Sequence, residues 1–261
     1  MRDDLGAEFV RAEPPRRVVS LVPSLTEAVA ITAPGVLVGV TDYCVHPADL
    51  DVARVGGSKY PDLGRVLDLR PDLVLANAEE NRREDVVALR AAGIAVWVTF
   101  PRTLDEALTS LRRMLCCALG CEAPDWLAEA ETAWADPPAF DRRVAVPVWR
   151  RPWTVIGGQT FAGDLLARLG LSNVYADATD RYPRLGVHEI RGSGAELVVL
   201  PDEPYRFTER DGPEAFPDLP CALVSGRHLT WYGPSLAEAR GILAAQLRPS
   251  AWIGARHTLQ P

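Results

Sequence analysis

The stretch TLDEALTSLRRMLCCAL, residues 103–119, is the point from which the organisation of the chain can be worked out. Its leucines recur every three or four residues, which places them on one face of a helix. Thr103 followed by Glu106 predicts a capping box at its start, and Gly120 predicts a left-handed stop. At about 1.5 Å per residue the helix would run roughly 25 Å. One block of strands and helices ends before it and another begins at Arg142, so we expect it to join two lobes with the function in the cleft between them.

The blocks on either side of this helix both alternate apolar strands with helices. Before it, we expect strands at 17–22, 36–41, 72–77 and 94–100, and helices at 25–31, 61–69 and 79–92. From residue 120 onward, we expect strands at 143–149, 196–202 and 221–224, and helices at 125–134, 160–169 and 234–247. Strands that are apolar throughout indicate parallel sheets covered on both faces. The predicted fold is therefore α/β, with two small parallel-sheet lobes joined by one long backbone helix in a C-clamp.

The predicted domains are an N-terminal lobe at 1–102, the connecting helix and the helix after it at 103–141, and a C-terminal lobe at 142–261. Residues 1–16 are expected to be a poorly ordered or draping lead. Ser24 is expected to cap the first helix, with Glu27 at its third position.

Bulk composition narrows the class of protein. The net charge of -7 argues against a nucleic-acid partner, which would require a basic patch. The first 17 residues show neither a signal-peptide pattern nor a lipoprotein Cys, and no run is apolar enough to span a membrane, so we expect a cytoplasmic protein unless the true start lies upstream. The five cysteines show no paired spacing, which favours small buried side chains over disulfides or a zinc site.

Aromatic and charged residues concentrate in the loops after the predicted strands. Ligands of open parallel sheets bind beyond the carboxyl ends of the strands. Flat rings with guanidinium groups suit a large, planar, anionic or polar ligand. The candidate ligand-binding residues from these loops are Ser24, Glu27, Tyr43, His46, Glu80, Trp149, Arg150, Arg151, Trp153, Glu203, Tyr205, Trp231 and Tyr232.

Roles can be assigned to these candidates by residue type. The aromatic residues would be stacking walls, and the two arginines would bind carboxylate or phosphate groups. Glu27, Glu80 and Glu203 would be polar or direct metal contacts, and His46 and Glu80 are the candidate metal ligands. Each candidate also has a structural alternative: the two tryptophans of the WRRPW loop as lobe core, the arginines as solvated charges or a partner-docking patch, and Glu27 as a cap partner.

Signatures of catalysis are missing from the sequence. It contains no GxSxG nucleophile elbow, no GxxxxGK[ST] and no GxGxxG after a strand. The paired glycines Gly157 and Gly158 are expected to form a turn rather than a phosphate cradle. We therefore assign no catalytic residue from the sequence.

Several segments resemble a known superfamily. RVVSLVPSLTE at 17–27, VGVTDYCVHP at 38–47 and DLGRVLDLRPDLVLA at 62–76 are similar to the helical-backbone metal receptors, the substrate-binding proteins of cobalamin, haem and iron-siderophore ABC importers. WRRPW, DEPYRF and TWYG in the second half resemble a cobalamin-binding-like subgroup. The resemblance covers about residues 16–248, and it implies a ligand between the lobes with little closure.

The resemblance also implies particular residues. Tyr43 matches an aromatic that lines the cobalamin cleft, and an aromatic expected near Ser58 is replaced here by Tyr60, which becomes a further candidate. Importer-docking proteins carry a surface glutamate on each lobe, whereas the matching positions here are Gly64 and His188.

Two classes of function remain open at this point. The first is a monomeric binding protein that holds a corrinoid or metal chelate, with an ABC permease as a possible partner if the chain is an importer component. The second is a cytoplasmic enzyme or metallophore-handling protein that uses the same cleft, with His46, Cys44 and Glu80 as its reactive groups.

Overall fold

The computed structural model describes residues 1–10 and 13–254, which contain eleven strands and nine helices. In the first half these are β1 (Val18–Ser20), α1 (Pro23–Thr32), β2 (Leu37–Val40), β3 (Ala53–Arg54), α2 (Leu63–Asp68), β4 (Leu73–Asn77), α3 (Arg83–Ala91), β5 (Val96–Thr99), α4 (Leu104–Arg113) and α5 (Asp125–Ala133). In the second half they are β6 (Arg142–Ala145), β7 (Pro147–Arg150), β8 (Trp153–Val155), α6 (Phe161–Arg168), β9 (Leu171–Asn173), α7 (Val187–Arg191), β10 (Leu197–Pro201), β11 (Cys221–Val224), α8 (Gly226–Thr230) and α9 (Leu236–Gln246).

These elements form two compact units. Unit 1 comprises Met1–Pro101, Asp105–Glu129 and Tyr232–Pro234. Unit 2 comprises Arg102–Leu104, Ala130–Trp231 and the chain from Ser235 onward. The domain boundaries given from the sequence stay a prediction.

Unit 1 is built on a five-stranded parallel sheet in the order β3-β2-β1-β4-β5. From the central pair β1 and β4 the chain proceeds outward in opposite directions, which makes the carboxyl ends of these two strands the topological switch point. The sheet is buried on both faces, as the successive β4 residues Leu73 and Val74 show, since both are fully buried and their side chains point to opposite faces. The predicted parallel α/β architecture is confirmed.

Two helices of unit 1 begin elsewhere than the sequence pattern indicates. α1 begins at Pro23 with Val22 as its N-cap, so the expected cap by Ser24 is wrong. A proline suits the first helical turn because it needs no amide donor there. α3 begins at Arg83 rather than at 79, because the side-chain oxygen of Asn77 accepts the amides of Glu79 and Glu80 at 2.7 and 3.2 Å and holds them in a turn.

The amphipathic stretch 103–119 forms α4 and then a five-residue π turn, Met114–Ala118. All five of its leucines are buried, and Gly120 has a φ of +71° as predicted. The first amide of α4, on Leu104, donates to the carboxylate of Asp164 at 2.9 Å. The helix is therefore confirmed, while its role as a spacer stays a prediction.

The start of the chain packs against unit 1 in a defined way. Residues 2 and 8 form an antiparallel bridge. Asp4 forms an ion pair with Arg113, and the ring of Phe9 meets Trp97 edge-on with centroids 5.3 Å apart. Of the two alternatives expected for this segment, residues 1–10 fit the draping lead rather than the poorly ordered one, because charged and aromatic contacts hold them in place.

Unit 2 has a four-stranded parallel sheet in the order β11-β10-β6-β9. The single strand predicted at 143–149 is two strands, since β6 ends at Ala145 and β7 begins at Pro147, which lacks an amide to donate. β7 pairs antiparallel with β8, so the WRRPW loop is a β-hairpin. α6 begins after Thr160, whose hydroxyl accepts the Gly163 amide at 3.2 Å. The short elements β3, β9, α7 and α8 carry too few residues to give a periodic signal.

Candidate functional site

Two exposed tyrosines lie near the carboxyl ends of the unit 1 strands. Tyr43 follows β2 and is 65% exposed, and a Cβ built on Gly57 would touch its ring at 3.4 Å. Tyr60 is 71% exposed, with the guanidinium carbon of Arg82 4.9 Å from its ring centroid. Both rings therefore offer area to a ligand, and one already holds a cation–π contact.

Cys44, between these tyrosines in sequence, is fully buried. Its sulfur lies 3.0 Å from the hydroxyl of Thr26 and 3.2 Å from that of Thr41. Burial raises the pKa of the Cys44 thiol, so it stays protonated at neutral pH. Cys44 therefore cannot serve as the reactive group that the enzyme hypothesis required, whereas His46 and Glu80 are half-buried.

Ser24 and Glu27 lie in the first two turns of α1, and both are buried. A Cβ on Gly233 would lie 3.0 Å from the carbonyl oxygen of Ser24, so residue 233 packs directly on this turn. Almost none of the surface of these two side chains faces solvent. The expectation that they contact a ligand directly is therefore corrected.

Tyr232 is held inside unit 1 rather than displayed on its surface. Its hydroxyl accepts the side-chain amide of Asn77 at 2.6 Å and lies 2.8 Å from the hydroxyl of Thr99. Burial raises the pKa of Tyr232 and the charge of Glu80 adds to that shift, so the phenol stays neutral. The expected stacking wall is thus a buried anchor that ties residues 232–234 to the carboxyl ends of β4 and β5.

The β7–β8 hairpin of unit 2 carries two tryptophans with different environments. Trp149 is 44% exposed and meets the ring of Tyr205 edge-on, with centroids 5.6 Å apart. Trp153 stacks on Phe207 at 6.0 Å with nearly parallel planes, and packs against the core of unit 2. Trp153 is therefore part of the packing around the core of unit 2, as the structural alternative expected, whereas the ring of Trp149 has an exposed face.

The two arginines of the hairpin also differ. Arg150 forms ion pairs with both Asp211 and Glu214, and its guanidinium carbon lies 5.5 Å from the ring centroid of Trp153. Its charge is therefore already balanced, which corrects the expectation that it binds a ligand anion. Arg151 is exposed and has no ion-pair partner among residues 1–10 and 13–254.

Glu203 and Trp231 form a pair at the carboxyl ends of β10 and β11. The buried Trp231 donates its indole N–H to the carboxylate of Glu203 at 3.2 Å. Burial raises the pKa of Glu203. The charge of Asp202 raises that pKa further, by more than the hydrogen bond from Trp231 lowers it. Because Trp231 is buried, it stabilises the loop rather than presenting a ring face.

A groove within unit 2 is lined by other residues. It has a volume of about 620 Å³ beside β9 and α6, and its lining includes Phe140, Gly157, Asp164 and Asn173. None of the sequence-derived candidates lines it. The glycines at 157 and 158 are required for packing, since a Cβ on Gly157 would lie 2.3 Å from the Asp180 carbonyl.

Across the described ranges, His, Cys, Asp and Glu side chains form no group of three or more that could hold a metal ion.

Gly64 lies in α2 and the exposed His188 in α7, while the adjacent Glu189 accepts the Gly186 amide at 2.6 Å. Among the helices of residues 1–10 and 13–254, none has the length and apolar character that a bilayer span requires.

Comparison with known proteins supports the resemblance noted from the sequence. No family model matches the chain. The vitamin B12-binding protein of Vibrio cholerae is 24% identical over 187 residues, which are 68% of this chain and 67% of that protein.

Solved structures share the fold. The periplasmic vitamin B12-binding protein BtuF of Vibrio cholerae superimposes with a TM-score of 0.70 at 18% identity, covering 90% of this chain and 97% of that one. The periplasmic haem-binding protein RhuT of Roseiflexus sp. RS-1 superimposes with a TM-score of 0.71 at 21% identity, covering 90% and 99%. The resemblance to substrate-binding proteins is thereby confirmed, and the fold is that of these periplasmic proteins.

The expected location is corrected by the same comparisons. The sequence led us to expect a cytoplasmic protein, whereas the BtuF and RhuT structures are of periplasmic proteins. The cytoplasmic expectation is therefore wrong.

Proposed function

We propose that this chain is a binding protein for a bulky metal complex of the corrinoid, haem or iron-chelate class. The observation that carries the proposal is a set of open aromatic faces, which lie in the loops after parallel strands in unit 1 and in the antiparallel β7–β8 hairpin after β6 in unit 2. Tyr43 and Tyr60 supply them in unit 1, and Trp149 supplies one in unit 2. A planar macrocycle gains affinity by burying such rings and by stacking on them.

Comparison with relatives supports binding rather than catalysis. The Vibrio cholerae relative is named for vitamin B12, and the RhuT structure for haem. The one thiol near the candidate residues, Cys44, is buried with a raised pKa. We therefore propose a carrier that does not transform its ligand and delivers it to an ABC permease.

Exposure divides the candidates into two groups. Tyr43, Tyr60, Trp149 and Arg151 have surface that a ligand can cover. Arg151 would meet an anionic group such as a carboxylate or phosphate. His46, Glu80, Glu203 and Tyr205 are half-buried and would shape the polar surroundings, and their direct contact with ligand stays a prediction.

Titration of the purified protein with cyanocobalamin, haemin and a ferric siderophore tests the proposal. We expect saturable binding of at least one of them with a Kd below about 100 μM, roughly 5 kcal/mol. Failure of all three ligands to saturate would contradict the proposal.

A variant pair then tests the aromatic face. Loss of one stacking contact costs about 0.5–1.5 kcal/mol, so Trp149→Ala should weaken binding about 2- to 13-fold. Trp252→Ala is the matched control, because Trp252 lies beside Ile253, which bridges to the amino end of β11. Equal effects of the two substitutions would show that the strand ends of unit 2 do not contact the ligand.

A further inference from the structure

Three side chains of unit 2 outside the candidate ligand residues form a continuous hydrogen-bonded chain. The hydroxyl of Ser225 lies 2.7 Å from Nδ1 of His228. Nε2 of His228 lies 3.2 Å from Oε1 of Glu238. Ser225 stands between β11 and α8, His228 lies in α8 and Glu238 in α9, so three successive elements build the arrangement.

Two groups contact Nε2 of the imidazole: Oε1 of Glu238 at 3.2 Å, which only accepts hydrogen bonds, and a guanidinium nitrogen of Arg227 at 3.4 Å, which only donates. We assign the proton of the neutral ring to Nε2 on the shorter contact, so that His228 donates to Glu238. Nδ1 is then the basic nitrogen, and the Ser225 hydroxyl donates to it. The hydrogen bond from His228 lowers the pKa of Glu238 against the opposing effect of burial, so this carboxylate is ionised at neutral pH. Arg227 lies 3.4 Å from the same carboxylate oxygen.

This order of groups is the one that activates a serine. A hydroxyl is a weak nucleophile unless an adjacent base removes its proton, and the base works best when a third group orients it. A serine, histidine and carboxylate in this sequence of contacts are recognised by geometry rather than by position in the chain. No GxSxG elbow surrounds Ser225, so no sequence motif indicates the cluster.

The nucleophile and the base are held in fixed positions. The Ser225 amide donates to the side chain of Gln246 at 3.0 Å, and its carbonyl accepts the Leu229 amide at 3.1 Å. His228 is buried, while Ser225 is partly exposed. The imidazole is therefore kept in one orientation, and the serine is reachable from solvent.

The backbone amide that would stabilise an oxyanion in acyl transfer already donates a hydrogen bond to a carboxylate. The amide after the serine, that of Gly226, donates to the carboxylate of Asp202 at 2.6 Å. It is thus not free to stabilise an oxyanion, a contribution that is worth orders of magnitude in rate. Reagents that carry their own activation are therefore the class that this serine can attack.

We propose that Ser225 is an activated nucleophile that forms a covalent adduct with electrophilic phosphonyl or acyl compounds. The Oγ lone pair forms a bond to phosphorus or to the carbonyl carbon, and the leaving group departs with its bonding electrons as fluoride or a phenolate. The hydroxyl proton passes to Nδ1 of His228 and then to solvent. Glu238 stays ionised and holds the Nε2 proton throughout. This reactivity is separate from the binding of a metal complex.

Labelling with a fluorophosphonate probe, followed by peptide mass spectrometry, tests this proposal on the whole chain. We expect one phosphonyl group per molecule on Ser225, and loss of that label in Ser225→Ala. Glu238→Gln should slow labelling about threefold or more, whereas Glu209→Gln, which changes an exposed carboxylate elsewhere in unit 2, should leave the rate unchanged. Ser193→Ala is the matched serine control, since its hydroxyl donates to a backbone carbonyl at 2.7 Å.

The pH profile of the unsubstituted protein supplies a test that needs no variant. A labelling rate that rises with pH would show that a titratable base activates Ser225, and Arg227 and Glu238 are the charged groups that contact His228. Absence of label on Ser225, or a labelling rate independent of both pH and Glu238→Gln, would show that the cluster is only a helix-capping network.

Discussion

The anchor formed by Tyr232 gives the most direct test of how unit 1 is held together. In Tyr232→Phe the ring and its packing stay, and only the hydroxyl is removed. The Asn77 amide then loses its acceptor at 2.6 Å and retains only a 3.5 Å contact to Thr99. The Thr99 hydroxyl loses its 2.8 Å partner but still donates to the Ala76 carbonyl at 3.2 Å.

The size of the effect follows from these contacts. A lost neutral hydrogen bond costs about 1 kcal/mol, and a buried amide left without a good acceptor adds about 1–2 kcal/mol more. Thr99 keeps one partner, so its contribution is small. We therefore expect Tyr232→Phe to lower the free energy of unfolding by about 2–3 kcal/mol, which is roughly a 30- to 150-fold change in the unfolding equilibrium.

Urea denaturation followed by circular dichroism would measure this loss, and hydrogen exchange in β4 and β5 would localise it. Tyr175→Phe is the matched control, because Tyr175 is half-buried and its hydroxyl makes a longer contact, 3.4 Å, to the Glu189 carbonyl. We expect the control to change stability by less than about 0.5 kcal/mol. A Tyr232→Phe effect as small as that of the control would refute the buried anchor.

Two further substitutions test unit 2. Arg150→Met should lower the free energy of unfolding by about 1–2 kcal/mol, because it leaves two partly exposed carboxylates without their cation. The control variant Arg151→Met should change the Tm little. Similar Tm values for both variants would contradict the ion-pair assignment. Glu203→Gln should raise the Tm at pH 7, because a raised carboxyl pKa means stability that is lost as pH rises, and Gln still accepts from Trp231. That gain should vanish below about pH 4, and a pH-independent difference between wild type and variant would contradict the reasoning.

Local signals were sufficient to predict most of the fold. β11 occupies residues 221–224 as predicted, and Gly170 ends α6 with a φ of +87°. β4 and β10 were predicted to within a residue at each end, because continuous apolar runs bounded by polar residues leave few alternatives. The five leucines of residues 103–119 were all predicted to face inward, and all are buried.

The sequence does not indicate which distant segments of the chain contact each other. Tyr232 and Asn77 are separated by 155 positions, and no local pattern indicates that one anchors the other. Arg150 finds its carboxylates more than 60 positions away. The late start of α3 depends on one side chain, that of Asn77, competing with the helix for backbone amides.

The adjacent Arg150 and Arg151 show why residue type alone could not define the candidate site. The sequence assigns both the same role, yet one is the last residue of β7 and the other lies in the hairpin turn. Successive residues of a strand point to opposite faces, and a turn residue points away from both neighbours. The backbone geometry of the hairpin thus gives Arg150 two carboxylate partners and an aromatic face, and leaves Arg151 exposed. An anionic group of a ligand would therefore bind Arg151 more tightly than Arg150. Replacing each arginine in turn would separate the residue that holds the loop from the residue that can hold a ligand.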